Sequence, residues 1–346
     1  MAKNIELMGA VFPDVPSIKL PQYGGGLVSF DDTSDADAVA GDITQGKTAY
    51  VNGVKVVGTN QGGGGGDEPE PTDGKTHIWI HIDPDTPANR LTFPLYFGQS
   101  VANGVTVDWG DGSATETFGG TSATVHNHTY ATGGDYEITL EVTDGTLNLT
   151  GTSGSNGYAI YGSKANANSY NRGRIRRVHI GDGVTSIGQY CFQNCYALKK
   201  VSGMGDVTSI GTYAFSYCHS LTSITIPDGV TSIENDVFYY CYLLANVTIP
   251  DGVTSIGNNA FSYCHPFTSI TIPDGVTSIG TYAFSYCYGM AKYHLLPTTP
   301  PTLSSANAFN GIPSDCIIYV PVGSLEAYQT ATNWSTYASK MREEPA

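Results

Sequence analysis

Residues 207–229 read Val-Thr-Ser-Ile-Gly-Thr-Tyr-Ala-Phe-Ser-Tyr-Cys-His-Ser-Leu-Thr-Ser-Ile-Thr-Ile-Pro-Asp-Gly, and at Val230 the string begins again. Val-Thr-Ser-Ile opens at Val184, Val207, Val230, Val253 and Val276, an interval of 23 residues each time. A Phe follows at Phe192, Phe215, Phe238, Phe261 and Phe284, then a Cys at Cys195, Cys218, Cys241, Cys264 and Cys287. Apolar residues come next at Leu198, Leu221, Leu244, Phe267 and Met290, and a half-unit (Ile175, Val178) precedes the first copy. A fixed period in this range is the signature of stacked units.

One unit is too short to bury its own apolar face, so neighbours must do it. Stacking turns the Ile, Phe, Leu and Cys positions into ladders, and the ladders into a continuous core. Leu221 to Pro227 alternates as a strand with Ile224 and Ile226 on one face. Pro227-Asp228-Gly229 is a turn, and Val230 to Ile233 is a second extended run. The stretch from Asn235 to Cys241 is expected to form one turn of helix. Strand, turn and short helix at this period predict a leucine-rich solenoid. Roughly five rungs at ~4.8 Å span about 24 Å along its axis.

The repeated unit resembles the BspA-like leucine-rich repeats of bacterial and protist surface proteins. The end of the chain is similar to that family's terminal segment, with Ala308-Phe309, Ile317 to Pro321, Ser324 to Tyr328, and Trp334. Ser324 stands where a helix N-cap is expected and Glu326 in the first turn. The resemblance spans about 175–346 and implies a fold and a binding role rather than a reaction. The boundaries it suggests are repeats over 175–300 and a C-terminal cap over 301–346.

Comparison of the copies with one another separates core from surface. The apolar and Cys positions hold, whereas three others carry rings and polar groups. After each ladder Cys stand Tyr196, His219, Tyr242, His265 and Tyr288; before it stand Asn194, Tyr217, Tyr240, Tyr263 and Tyr286. Two residues before each ladder Phe stand Tyr190, Tyr213, Asp236, Asn259 and Tyr282. Tyr and His join rigid contact area to a polar tip, as binding surfaces do. The candidate ligand-binding set is Tyr190, Tyr213, Tyr217, His219, Tyr240, Tyr242, Tyr263, His265, Tyr282, Tyr286 and Tyr288. Two readings stand side by side: these rings stack on one another between rungs, or they contact a ligand.

The chain has 346 residues, 16 Lys+Arg against 31 Asp+Glu, and a net charge of −15. That balance argues against nucleic acid as a partner. No segment reaches the ~18 apolar residues of a membrane helix, so no membrane insertion is expected. Only 14% of residues are charged, while Gly numbers 42 and Tyr 23. Turns and strands suit such a composition better than a helical bundle. The expected fold class is mainly β and multidomain.

Residues 75–150 have a different texture. Thr76 to Ile82 alternates as a strand, and Val105-Thr-Val-Asp-Trp-Gly-Asp-Gly112 runs from strand into tight turn. Regular short strands with Gly/Asp turns predict an antiparallel β-sandwich. These strings, with His128-Thr-Tyr130 and Gly134-Asp-Tyr-Glu-Ile-Thr-Leu140, resemble a PKD-type immunoglobulin-like domain, which implies a spacer or adhesion module. Residues 151–174 are a connector, a loop or an extra hairpin. Residues 61–74 contain five consecutive Gly (Gly62–Gly66) and then Asp67-Glu-Pro-Glu-Pro71, a Gly-rich acidic linker. In residues 1–60, Asn52-Gly53 between Tyr50-Val51 and Val54–Val57 signals a hairpin.

The string from Asp37 to Gly53 and the opening from Ile5 to Pro16 are similar to segments of tailed-bacteriophage structural proteins. That similarity implies a virion-attachment region over 1–60, with phage capsid or tail proteins as partners and a homotrimer by analogy with fibres. Glu6 interrupts the apolar run that a secretory signal needs at this start. The function expected is therefore a virion appendage, a head or tail fibre, located on the virion and binding a host-surface protein or glycan through the repeats. The alternative is a BspA-like adhesin on a bacterial cell surface.

Reactive chemistry has few candidates. Gly46-Lys47-Thr48 has Gly41 upstream at the spacing of a phosphate loop, but Ala40-Gly41-Asp42 is no buried strand end, so nucleotide binding is not expected. The Cys count, 7, is odd, and a reduced, buried ladder explains five of them. Cys191 and Cys195 lack the further ligands of a zinc site. His77 with His81, and His126 with His128, read as surface strand residues rather than metal ligands. Asp108 and Asp111 read as turn formers rather than calcium ligands. No catalytic residues, metal or cofactor is expected.

Overall fold

The computed structural model describes residues 69–152, 158–163 and 166–345, with six short strands inside the first 60 residues. The chain divides into two compact units, Met1–Gly62 and Gly63–Ala346. In the first, antiparallel pairs join β1 (Ile5–Leu7) to β2 (Ala10–Phe12), β3 (Ser17–Pro21) to β4 (Leu27–Asp31), and β5 (Thr48–Val51) to β6 (Val54–Val57). Val51 pairs with Val54, so Asn52-Gly53 is the two-residue hairpin connection. The remaining expectations for residues 1–68, attachment included, lie outside the described residues.

The second unit opens with β7 (Thr76–Ile82), β8 (Thr92–Gln99), β9 (Val105–Asp108), β10 (Glu116–Phe118), β11 (Thr124–Thr129), β12 (Gly134–Val142) and β13 (Leu147–Asn148). They form two antiparallel arrays, β10-β9-β12-β7 and β11-β8-β13. Alternation supplies the core between them: Ile78, Ile80 and Ile82 from β7 and Phe93, Leu95 and Phe97 from β8 are all buried. Phe97 meets Phe118 edge to face at 6.0 Å. The Tyr130 hydroxyl donates to the Trp109 carbonyl at 3.0 Å inside that core, which meets the polar tip's need for a partner.

The connector contains a small hairpin, β14 (Tyr158–Ala159) with β15 (Gly162–Ser163). It is stitched to both sides: the Tyr96 amide donates to the Ile160 carbonyl at 2.9 Å, and the Ile160 amide to the Cys191 carbonyl at 2.7 Å.

From there the chain winds into a solenoid of about 7 turns. β16 (Ile175–Ile180) joins β7 antiparallel, and β18 (Lys200–Gly203), β20 (Ser223–Thr225) and β22 (Asn246–Thr248) follow in parallel, so one eight-stranded sheet runs from β10 to β22. The same face continues as β24 (Ser269–Ile272), β26 (Lys292–Leu295), β28 (Ile317–Val320) and β29 (Met341–Glu343). The Ser-Ile dipeptides make the second face. There β17 (Ser186–Ile187) pairs with β19 (Ser209–Ile210), while β21 (Ser232–Ile233), β23 (Ser255–Ile256), β25 (Ser278–Ile279) and β27 (Thr302–Leu303) form a ladder.

The third face departs from expectation. The stretch from Asn235 to Cys241 and its equivalents are not helical but a run of turns. Two residues per rung take left-handed φ: Tyr213 and Tyr217, Asp236 and Tyr240, Asn259 and Tyr263, Tyr282 and Tyr286, all between 51° and 63°. Alternate amides therefore point along the axis. Tyr213, Phe215 and Tyr217 donate to Asn235, Val237 and Tyr239 of the next rung at 3.1, 3.0 and 2.7 Å. The intervening amides close turns, as Ala214 does to Gly211 at 3.0 Å. A helix would turn these amides inward on itself; the solenoid instead spends them between rungs.

Inside, the ladder Phe rings stack from Phe192 to Phe309 with centroids 5.2, 5.7, 5.4, 5.3 and 5.4 Å apart. All seven Cys are free and buried. The ladder thiols donate to the Phe carbonyl of the rung before: Cys218 to Phe192, Cys241 to Phe215, Cys264 to Phe238 and Cys287 to Phe261, at 3.2 to 3.4 Å. Burial pushes the Cys241 and Cys287 thiols up to about 12.

The rungs run past residue 300. β27, Phe309 and β28 make one more turn, and the end is closed by α1 (Leu325–Thr330) and the turn around Trp334. Trp334 and Tyr337 pack on Phe309 at 5.4 and 5.5 Å. The Trp334 indole donates to the Pro301 carbonyl and the Tyr328 hydroxyl to that of Pro297, each at 2.7 Å. Ser324 occupies the N-cap position, but its side chain makes no cap hydrogen bond. The other end of the solenoid is covered by β7. An open solenoid end needs such closure.

Candidate functional site

The turn face places the sequence-identified rings in three parallel files. The first runs Tyr196, His219, Tyr242, His265, Tyr288, with successive centroids 5.2, 5.0, 5.1 and 5.0 Å apart. The second runs Tyr217, Tyr240, Tyr263, Tyr286 at 5.1, 4.2 and 4.7 Å. The two files meet edge to face, with Tyr240 against Tyr242 at 5.2 Å. The third is broken: Tyr190 stacks on Tyr213 at 5.1 Å, Asp236 and Asn259 interrupt it, and Tyr282 stands beyond them.

Rungs therefore stack their rings, and that accounts for the spacing of every member of the first two files. The files also remain at the surface. Tyr196, Tyr282 and Tyr288 are exposed, Tyr288 to 56%, and the others are half-buried. Comparison of the copies missed three contributors. Tyr239, where other rungs carry a buried Ser, lies edge-on to Tyr240 at 4.4 Å. Asn310 and Asn307 extend the second and third files by donating to the hydroxyls of Tyr286 and Tyr282, each at 3.3 Å. The signal for Tyr239 was its departure from Ser216, Ser262 and Ser285; the two Asn fall where the period lengthens.

The electrostatics of the face follow from its burial. Burial lowers the His219 and His265 pKa values, so both imidazoles favour the neutral form. Burial raises Tyr213, with Asp236 adding to it, and raises Asp236 itself. The hydrogen bond to Tyr240 raises Tyr263, with burial second. The surface is thus an array of ring edges and hydroxyls, suited to hydrogen bonding and van der Waals contact.

The other candidate groups resolve differently. His77 is buried, not a surface residue: Nδ1 lies 2.6 Å from Glu137 and Nε2 2.8 Å from Asp73. His81 pairs with Asp135 at 2.8 Å. His126 packs on Phe118 with centroids 4.0 Å apart. His128 stacks on Trp109 and pairs with Asp111 at 2.7 Å. Asp108 and Asp111 accept from the Gly110 and Ser113 amides at 2.9 and 3.0 Å, the local bonds of turn-forming Asp. Among the described residues no group of three or more His, Cys, Asp or Glu is arranged to hold a metal ion. Among them, too, no helix is long and apolar enough to cross a membrane.

Residues 163–291 match the family model described as a BspA-type leucine-rich repeat region, in 6 copies. The repeat region is of that type. Among solved structures, a leucine-rich repeat protein from Bacteroides ovatus is 32% identical, with 42% of this chain and 42% of that one covered and a TM-score of 0.36. The pneumococcal vaccine antigen PcpA is 19% identical over 49% of this chain and 40% of that one, with a TM-score of 0.39. A leucine-rich cell-surface protein from Faecalibacterium prausnitzii is 25% identical over 42% and 60%, with a TM-score of 0.23. The chain spans less than two thirds of each of these proteins. No curated protein matches it.

Proposed function

We propose that this protein is a bacterial cell-surface protein of the BspA-like type, whose repeats bind a host-surface or environmental ligand through the Tyr/His files. The observation that carries the reading is the surface position of those files on a BspA-type repeat region. Left-handed φ costs an L-residue of ordinary side chain about 1–2 kcal/mol and costs Asn or Asp less. Asn194, Asp236 and Asn259 occupy such positions with the inexpensive residue types. The scaffold thus accepts Asn where it carries Tyr, and the rings add contact area that the backbone does not require.

Residues 75–150 act in this reading as a PKD-type spacer, the unit Met1–Gly62 as the anchor, and the chain works without catalysis or cofactor. A virion location drew only on residues 1–60 and finds nothing in the repeats to favour it, so the cell-surface reading takes its place. The experiment is brief protease treatment of intact producing cells, with quantitative mass spectrometry of the released peptides. Repeat peptides enriched over cytosolic markers support a surface location; their recovery only from purified phage particles or from the cytosol overturns it. For binding, the triple variant Tyr240→Asn, Tyr263→Asn, Tyr286→Asn is expected to lose at least about tenfold affinity for intact host cells or matrix, because rings of this kind dominate interface energies. Unchanged affinity removes the files from the reading.

A further inference from the structure

Six of the 16 Lys+Arg in this acidic chain fall within residues 172–200. Some of them line a single small cup. On the outer side of the long sheet, register sets Arg177 beside Lys200 and His179 beside Ser202. Arg177 is 2% exposed and lies over the Trp79 ring at 4.4 Å, so its guanidinium is held on a fixed platform. The four side chains converge on one carboxylate, that of Glu70. Oε2 accepts from Arg177 Nη2 at 3.1 Å and Ser202 Oγ at 2.5 Å, and lies 3.2 Å from His179 Nδ1. Lys200 Nζ pairs with Oε1. Arg177 Nη2 also reaches the Pro69 carbonyl at 3.4 Å. Burial opposes ionisation of Glu70, but the bonds from Lys200, Ser202 and Arg177 outweigh it and hold the carboxyl down to about 2.

The occupant is a piece of linker, not of either sheet. It is a Glu between two Pro, and Pro favours the extended backbone that presents a side chain and the preceding carbonyl together. Its side chain is 39% exposed. The wall residues belong to the paired strands β16 and β18. We propose that Arg177, His179, Lys200 and Ser202 form a binding site for an extended acidic peptide with a proline-flanked glutamate, which Glu70 fills in the isolated chain and a partner's peptide fills by displacing it.

A tethered group acts at millimolar effective concentration, so free peptide competes poorly until Glu70 is removed. The probe is fluorescein-labelled Pro-Glu-Pro amide, followed by anisotropy at low salt with the full chain. Glu70→Gln is expected to bind it at least tenfold more tightly than the unaltered chain. Glu70→Gln with Lys200→Ala is expected to lose at least tenfold of that, and Pro-Gln-Pro amide not to bind. Equal binding by the unaltered chain and Glu70→Gln overturns the proposal, as does binding that survives Lys200→Ala. An oligogalacturonate that binds Glu70→Gln when the peptide does not overturns the assignment to peptide. Should Glu70→Gln fold poorly, the unaltered chain still decides: millimolar peptide is expected to speed proteolysis of the 61–71 linker, and an unchanged cleavage rate refutes displacement. The aromatic files are not involved, so the Tyr240, Tyr263, Tyr286 triple variant keeps peptide binding whatever becomes of its surface ligand.

Discussion

Phe238→Ala tests the inner ladder most directly. Phe238 is fully buried between Phe215 and Phe261, with centroids 5.7 and 5.4 Å away. Truncation to Ala returns on the order of 100 Å² of apolar burial, about 2.5–3 kcal/mol at ~25 cal/mol per Å². Two ring pairs are lost with it, each about 0.5–1.5 kcal/mol. The void is flanked by rungs whose amides are bonded across it, so it collapses only in part. A total of about 4 kcal/mol follows, inside the range of about 3–5 observed for Phe to Ala in cores. Phe238→Leu, which keeps most of the volume but loses the two ring pairs, is expected to cost less than Phe238→Ala, about 1–3 kcal/mol. The assay is urea unfolding of both variants with native-state amide exchange. Exchange locates the damage: in a solenoid it is expected first at the Phe215 and Phe238 amides and in adjoining rungs, and last at the ends. A cost below about 2 kcal/mol, or equal costs for Ala and Leu, refutes the ladder as the principal source of stability here.

Three further outcomes follow from the same geometry. Tyr240 has φ 59°, so Tyr240→Val is expected to be less stable than Tyr240→Asn by about 1–2 kcal/mol in urea, since both lose the ring but only Val meets the full left-handed penalty; equal stabilities would mean the backbone relaxes out of that conformation. Burial lowers the His77 pKa, but its hydrogen bonds to the Glu137 and Asp73 carboxylates outweigh it and the net shift is upward. Its contribution is therefore complete below the unfolded value of ~6.5 and fades as pH rises through the higher folded value. Between pH 6.5 and 8 the unaltered chain is expected to lose more thermal stability than His77→Gln, and parallel pH profiles would refute the pairing. Finally, all seven Cys are buried and free, so a thiol reagent is expected to leave the native chain essentially unlabelled and to label seven sites in denaturant; rapid native labelling of any ladder Cys would contradict its burial.

The solenoid was legible because its period repeats five times and each copy checks the others. Ile224, Phe238 and Cys241 stand where interior residues must stand, and the structure buries them. The turn face was misread because helix propensity is a local signal. Asn235 to Cys241 contains nothing that forbids a helical turn, and what prevents one is the demand of the next rung for amides that point along the axis. A hint lay in the copies themselves: Asn194, Asp236 and Asn259 alternate with Tyr at positions later found left-handed, and Asn and Asp are the non-glycine residues that tolerate that region best. Residues 301–346 read as a cap through the resemblance of Ala308-Phe309 and Ile317 to Pro321 to a terminal segment; the structure continues the Phe ladder to Phe309, which follows Phe284 by 25 residues rather than 23.

The two surface features differ in legibility for one physical reason. The Tyr/His files lie within the repeat, so a single strand pattern multiplied by the period predicts neighbours about a rung apart, and the observed 4.2–5.2 Å separations follow. The Glu70 cup has no such multiplier. It joins residues 107 and 132 positions apart, and it exists only because β16 pairs with β7, bringing the linker ahead of β7 across the first strands of the solenoid. Nothing local to Glu70 or Arg177 announces that pairing; it follows from how the neighbouring layer covers the open edge of the first rung. A solenoid needs its end covered, and the chain that covers it necessarily brings its own flanking residues along. The place where a repeat array is capped is thus where non-repeating chemistry is brought together, and in this chain that chemistry is a carboxylate held among Arg177, His179, Lys200 and Ser202.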